Sequence, residues 1–426
     1  MSDDVSGRTV RVVILGINYA PEPTGIAPYT TGLAVGLAAR GHQVRVLTGV
    51  THYPAWRRDG ERTPFRADTG AAGVRLRRLN HHVPRDGRGF GRAAMELTFG
   101  LQAVTSRWQR PEVVVCITPP LLSATMAVAR ARLTPRAPAV GVLVHDLYSR
   151  GVVETGALPR PAARAMRALE SAAFRHADGV AVIHDGLRAD LVRELGVERE
   201  RIRVIRNWNH VSAPDPGASA AFRAARGWSD EEIVVLHAGN MGTKQGLENV
   251  VAAAELAARE GLPVRFVLLG DGNQRRRIEA AGAGRPTLEI LPPVSEAEFP
   301  SALGAADVLL VNELPGVAQM AVPSKLTSYF TSGKPILAAA EAAGYTAQEM
   351  TASGAGVLVP AGRPDLLLSE AVRIGADPEL GAEFGAAGRR YAAALLHADA
   401  ALDGYEEWII ELARARGKAV RWPNAH

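Results

Sequence analysis

The residues best suited to do chemistry in this sequence are a few lysines and one histidine–aspartate pair. Lysine occurs only at Lys244, Lys325, Lys334 and Lys418, against 45 arginines. Lys244 sits in Ala238-Gly239-Asn240-Met241-Gly242-Thr243-Lys244-Gln245-Gly246, between an apolar run and a helical pattern. Glycine-rich backbone leading into a helix N-terminus offers amide donors and a positive dipole end, and a lysine adds a point charge; the combination suits a diphosphate. Lys325 opens a second helical pattern in Pro323-Ser324-Lys325-Leu326. Asn240, Gly242, Lys244 and Lys325 are therefore candidate diphosphate ligands, whereas Lys334 and Lys418 read as solvated surface residues. His145-Asp146 follow the apolar run Gly141-Val142-Leu143-Val144, which would deliver both side chains to the carboxyl end of a strand, where catalytic groups of α/β proteins collect. The Pro/Gly-rich loop Gly16-Ile17-Asn18-Tyr19-Ala20-Pro21-Glu22-Pro23-Thr24-Gly25-Ile26 opens another helix, and its backbone N–H groups and the helix dipole suit a phosphate or a developing anion, or it is a long β–α loop.

These side chains need a scaffold, and the hydrophobic periodicity supplies one. Val10–Leu15, Gln43–Leu47, Val113–Ile117, Val140–Val144, Gly179–Ile183 and Arg203–Ile205 read as strands, with helical i, i+4 spacing between them, as at Tyr29, Leu33 and Leu37. Asn207–Ser219, with Pro214, Pro216 and Gly217, reads as a linker. The alternation then restarts with Ile233–His237, Val264–Leu269, Leu288–Leu291, Val308–Val311, Pro335–Ala338 and Gly356–Val359. Two doubly wound α/β domains are expected: residues 1–206, a linker 207–219, residues 220–395, and a terminal helix and tail 396–426 that would cross back.

Composition narrows the class. The chain has 426 residues, 47% hydrophobic and 22% charged, so each of two domains can bury a core. Its net charge of +5 divides into +12 over residues 1–212 and −7 over the remainder. The single cysteine, Cys116, lies in an apolar run and excludes a disulfide framework or multi-cysteine metal site. The N-terminus lacks the pattern of a signal peptide, and no uncharged stretch reads as a membrane span. No G-x-x-x-x-G-K-[ST] occurs, so P-loop chemistry is excluded; Gly270-Asp271-Gly272 lacks the third glycine of a dinucleotide fingerprint, because position 275 is arginine. The basic half has no aromatic-interleaved basic strip, which argues against nucleic acid. In Gly91–Trp108, the spacing sets Leu97, Leu101, Val104 and Trp108 on one helix face, expected to pack on the sheet. Met95 and Phe99 lie opposite with Arg92 beside them, an apolar face rimmed by arginine that would suit either an anionic membrane surface or a helix buried on both sides.

Almost the whole chain resembles the retaining GT-B glycosyltransferases of glycosyltransferase family 4, in the colanic-acid and fucosamine branch of exopolysaccharide and O-antigen transferases. The matching stretches are GINYAPEPTG (Gly16–Gly25), LAARGHQVRVL (Leu37–Leu47), VHDL (Val144–Leu147), VIRNW (Val204–Trp208), GNMGTKQG (Gly239–Gly246), PSKL (Pro323–Leu326) and Gly333-Lys334-Pro335. Their order and spacing carry the resemblance. It implies two Rossmann-like domains facing a central cleft, with a nucleotide-sugar donor bound by the C-terminal one and an acceptor by the N-terminal one. No metal and no cofactor are implied beyond the nucleotide-sugar co-substrate, because lysines and helix dipoles would stabilise the leaving diphosphate. His145 and Asp146 would be the catalytic pair, Gly270, Asp271, Ser324 and Ser328 the nucleoside contacts. Asn240 stands where the broad family often has arginine, Gln245 holds its usual lysine position, and its pair of glutamates would fall on Met320 and Ser328. The expected partners are a UDP- or GDP-sugar, a polyprenyl-diphosphate-linked sugar acceptor and the inner face of the plasma membrane. A 2-epimerase of the same fold and an inactive nucleotide-sugar-binding partner are the alternatives.

Overall fold

The computed structural model describes residues 8–22, 25–53, 56–58, 68–69, 73–85, 89–134, 137–150, 159–317 and 324–419. The chain divides into two units: residues 1–207 together with 399–426, and residues 208–398.

The first unit contains β1 (Arg11–Leu15), α1 (Ala27–Ala39), β2 (Gln43–Gly49), β3 (Asp68–Thr69), β4 (Arg75–Leu79), α2 (Gly89–Thr105), β5 (Val113–Thr118), α3 (Leu121–Leu133), β6 (Ala139–Val144), α4 (Arg160–His176), β7 (Gly179–Val182), α5 (Asp185–Leu195) and β8 (Ile202–Val204). Its sheet runs β3-β4-β2-β1-β5-β6-β7-β8 and is parallel except for β3. Strands buried on both faces read as unbroken apolar runs, and β5 and β6 are buried at every position. Cys116 is one of these buried residues, and burial pushes its thiol up to about 12, so it serves as a small hydrophobe. The Arg-rich β4 escapes hydrophobic patterning: three of its five residues are arginines, and only Leu79 is fully buried.

The second unit contains α6 (Pro216–Ala225), β9 (Ile233–Asn240), α7 (Glu248–Glu260), β10 (Val264–Asp271), α8 (Arg275–Gly282), β11 (Leu288–Leu291), α9 (Phe299–Ala305), β12 (Val308–Asn312), α10 (Lys325–Ser332), β13 (Ile336–Ala339), α11 (Tyr345–Ser353), β14 (Gly356–Val359), α12 (Pro364–Gly375) and α13 (Pro378–Leu395). The sheet order is β11-β10-β9-β12-β13-β14, all parallel, with hydrophobic clusters on both faces. The order reverses between β9 and β12, which is where a doubly wound sheet opens a crevice beyond its carboxyl ends.

The last helix, α14 (Ala398–Ala419), packs on the first unit. Glycines admit it: a Cβ on Gly36 would lie 2.5 Å from Leu402, and one on Gly141 would lie 2.6 Å from the Trp408 ring. His42 links it to the residue preceding β1, accepting the Val10 amide at 3.1 Å through Nδ1 and donating to Glu406 at 3.0 Å through Nε2.

The faces of α2 are the reverse of the sequence expectation. Met95, Phe99 and Ala103 are buried, together with the Glu96 carboxylate, while Leu97 and Leu101 are 44% and 49% exposed and Phe90 is 96% exposed. The two faces are about equally apolar in composition, so periodicity locates the helix but cannot choose its inner side. Glu96 decides it. Its Oε2 accepts the amides of Leu121 and Leu122 at 3.0 and 3.3 Å, the first turn of α3, and a carboxylate that caps a buried helix start must face inward. Trp108 is buried as expected, donating its indole N–H to Ala103 at 2.9 Å.

Candidate functional site

In the second unit the polar side chains gather at the β9/β12 switch point. Strands β9 and β10 are paired to their last residues, Gly270 opposite Gly239 and Asp271 opposite Asn240. The pairing is close enough that a Cβ on Gly270 would lie 1.9 Å from the Gly239 carbonyl oxygen, and Gly270 has φ +145°. Gly239 (φ +128°) borders the Lys325 side chain, and a Cβ there would lie 3.8 Å from the amine. At Gly239 the backbone angle alone calls for glycine, whereas at Gly270 the angle and the lack of room both do.

Beyond β9 the chain makes one turn at Thr243–Gln245 and enters α7 through Gly246, whose φ is +51°. Two side chains fix this turn. Asn312 at the end of β12 donates through Nδ2 to the carbonyls of Gln245 and Gly246 at 2.7 and 3.0 Å. Gln245 Oε1 accepts the Gly242 amide at 3.0 Å. The Gly242 amide, expected as a phosphate donor, is therefore already engaged, and Gln245 acts on the loop itself. Asn240 is half-buried, with its amide group against Gly242 and its Oδ1 against Gly272. Asp271 closes the neighbouring turn by accepting the Gly272 amide at 2.8 Å.

Lys244 and Lys325, though 81 positions apart, converge here. Lys325 leads α10 and its amine lies 2.9 Å from Nε2 of His237, a fully buried residue of β9. The Lys325 amine is lowered to about 7, first by burial and then by the nearby Lys244 charge, with Glu313 opposing the shift. His237 is held well below the ordinary imidazole range by burial and then by Lys325. Glu313 is buried just past β12 and accepts the Thr346 hydroxyl at 2.7 Å. Two cations brought together from separate elements until one disfavours protonation of the other form a place suited to an anion. Ser324 is exposed at the start of α10; Ser328 is buried and donates to the Lys325 carbonyl at 2.9 Å, which ties its hydroxyl to its own helix. Met320 and Pro323 lie outside the described residues.

In the first unit, β6 delivers His145 as the sequence implied. The ring is buried and burial lowers it to about 4, so it is neutral at ordinary pH. Its Nδ1 lies 3.5 Å from the Asn207 side-chain amide and its ring centroid 5.9 Å from that of Tyr29. Nε2 is buried without a hydrogen-bond partner among the described residues, as is Oδ1 of Asn207. Buried polar atoms usually have a partner, so both atoms are open to a water molecule or a ligand. Asp146 is half-buried, and its charge reaches the Tyr53 phenol.

The loop after β1 is fixed by Glu22, which sequence reading passed over. This buried carboxylate accepts the amides of His52 and Tyr53 through Oε1 at 2.8 and 2.9 Å, and the Asn18 side chain through Oε2 at 2.7 Å. The arrangement staples the loops after β1 and β2 together and sets Gly25 (φ +70°) against Tyr53, where a Cβ would lie 3.2 Å from the ring. Thr24 lies outside the described residues. His237 and Glu22 had one sequence signal each: a lone histidine inside an apolar strand, and a carboxylate inside a Pro/Gly-rich loop.

Comparison with known proteins gives the same division of the chain. Residues 24–208 match the family described as glycosyl transferase 4-like domain, and residues 232–377 match glycosyl transferases group 1. The putative colanic acid biosynthesis glycosyl transferase WcaI of Escherichia coli (strain K12) is 29% identical over 349 residues, 78% of this chain and 84% of that protein. The probable glycosyltransferase WbjE of Pseudomonas aeruginosa is 29% identical over 287 residues, 65% of this chain and 69% of its own. Among solved structures, sucrose-phosphate synthase from Thermosynechococcus elongatus superposes with a TM-score of 0.73 at 20% identity, covering 96% of this chain and 99% of its own. Anabaena HepE in complex with UDP-glucose gives 0.66 at 14% identity, covering 96% and 99%.

Proposed function

We propose, for a chain that belongs to the GT-B glycosyltransferases with a family 4-like domain followed by a group 1 domain, that it is a retaining enzyme of cell-surface polysaccharide or glycoconjugate assembly. The donor is a UDP- or GDP-sugar bound by the second unit. The observation that carries this reading is the convergence of Lys244 and Lys325 on the β9/β12 switch point, where each lysine lowers the free energy of a diphosphate. Asn240 and the close-paired Gly239 and Gly270 line the same strand ends, and Asp271 and Ser324 are assigned to the nucleoside. Ser328 is assigned there too, with its hydroxyl first released from the Lys325 carbonyl. Gly242 shapes the loop.

The reaction breaks the bond from the sugar's anomeric carbon to the diphosphate oxygen. A new bond forms to the acceptor hydroxyl oxygen on the same face, and the hydroxyl proton passes to a phosphate oxygen of the leaving diphosphate. Charge builds on that diphosphate, and the two lysines are the residues of this unit that offset it, without a metal. His145, neutral and with an unpartnered Nε2, is assigned the hydrogen bond to the transferring sugar, Asp146 its support, and Thr24 and Gly25 the acceptor loop. The acceptor is a sugar on a polyprenyl diphosphate, and the enzyme works at the cytoplasmic face of the membrane. No helix among the described residues is long and apolar enough to cross it. The stripe Phe90, Leu97 and Leu101 of α2 is the surface assigned to lipid; it carries no acid, because Glu96, the only one in the helix, points inward.

The test is nucleotide release from UDP- and GDP-sugars with and without a lipid-diphosphate acceptor. Acceptor-dependent release supports the transferase. Release of an isomerised sugar without acceptor would point to the epimerase, and donor binding without any release would sink both.

A further inference from the structure

We infer that Arg92, walled by Trp56, Tyr53 and Tyr148, is an anion site of the first unit that takes a phosphorylated sugar. This rests on the transferase reading and gives its acceptor side a chemistry.

Arg92 lies on the first turn of α2 and its side chain is only 22% exposed. Glu96 holds it by one edge, accepting from Nε at 3.0 Å. The other Glu96 oxygen is committed to the amides that start α3, so the carboxylate cannot turn to follow the guanidinium. The Tyr148 phenol hydrogen-bonds to both members of the pair. The guanidinium carbon stands 5.7 Å from the centre of the Trp56 ring and 5.9 Å from that of Tyr148, so the cation is fixed over two aromatic faces.

Trp56 is the second observation. Its φ is +50°, a region that bulky residues rarely enter. The conformation turns its ring edge-on to Tyr53 at 5.9 Å and to His52 at 5.8 Å. Glu22 holds both of these residues by their backbone amides. Tyr53 also borders Gly25, and the charges of Arg92, Asp146 and Glu22 all reach its phenol. A planar guanidinium matches phosphate oxygens in a fork, and flat aromatic walls accept the C–H face of a sugar. The two features side by side suit a ligand with both parts.

Isothermal titration of the full chain with glucose 1-phosphate and with glucose tests this. Wild type should bind the phosphorylated sugar at least tenfold more tightly. Arg92→Met should lose that preference, Trp56→Ala should weaken both sugars, and Lys325→Ala should keep the preference. Removing Arg92 leaves Glu96 buried without its partner and can impair folding, so Arg92→Lys serves as a second variant; it keeps the charge, loses the fork, and should lower the preference severalfold. No preference in wild type, or a preference lost in Lys325→Ala and kept in both Arg92 variants, overturns the assignment. Neither result touches acceptor-dependent nucleotide release, which judges the transferase reading separately.

Discussion

The amine of Lys325 lies 2.9 Å from Nε2 of His237, at the point where the strand carrying the glycine-rich loop meets the helix that Lys325 begins. Burial and the nearby Lys244 charge disfavour a proton on Lys325, and burial and Lys325 disfavour one on His237. A group lowered from 10.5 to about 7 binds its proton more weakly in the folded chain than in the unfolded one. Ligand-free stability should therefore rise with pH between those two values and level off above them.

The same shift has the opposite consequence for an anion. A diphosphate favours the protonated amine and should draw a proton in as it binds. Nucleoside diphosphate affinity is expected to fall as pH rises above about 7, by up to about tenfold per unit, and to fall far less in Lys325→Arg, which stays charged. Titrations at pH 6, 7.5 and 9 read this directly, and equal slopes in both proteins would remove Lys325 from the anion site.

His145→Ala should reduce turnover by at least a hundredfold while donor binding changes little. Because burial holds the wild-type imidazole near 4, its protonation should not shape the pH profile of turnover between 5 and 8. Loss of donor binding equal to the loss of turnover would make His145 a structural residue.

Gly270→Ala should destabilise the second unit by about 3 kcal/mol or more, since the new methyl would meet the Gly239 carbonyl and the backbone angle resists any side chain. Gly261→Ala is the control. It also has a positive φ, +65°, but meets nothing within 4 Å, and should cost about 1 kcal/mol. Thermal unfolding of both variants checks the difference.

On α2, Leu97→Ser with Leu101→Ser should cost no more than about 2 kcal/mol together, as each side chain is already about half exposed. Phe99→Ala should cost about 3–5 kcal/mol. Only the serine pair should lower co-sedimentation with anionic vesicles. Unchanged sedimentation would remove this stripe from the membrane reading.

The strands and the two-unit plan were legible because buried parallel strands are near-continuous apolar runs: Val113–Ile117 and Val308–Val311 announce themselves. The strand Arg75–Leu79 was not, since a half-exposed position near the sheet edge tolerates arginine and the run read only as charge. Lys244 and Lys325 were legible because lysine is scarce and both follow strand–loop patterns. Arg92 was named for a membrane rim and Trp56 not at all; what makes them a pair is a carboxylate one helical turn away and a backbone angle, and neither has a sequence period.

The unit that opens the chain is completed only by its last helix. Gly36 and Gly141 leave room that Leu402 and Trp408 fill, and those residues are synthesised after all of residues 208–398. During translation, the second unit can finish folding as an uninterrupted segment while the first still carries an open apolar seam along these glycines. Order of synthesis and order of completion are thus inverted: of the two units, the one made earlier closes its core later.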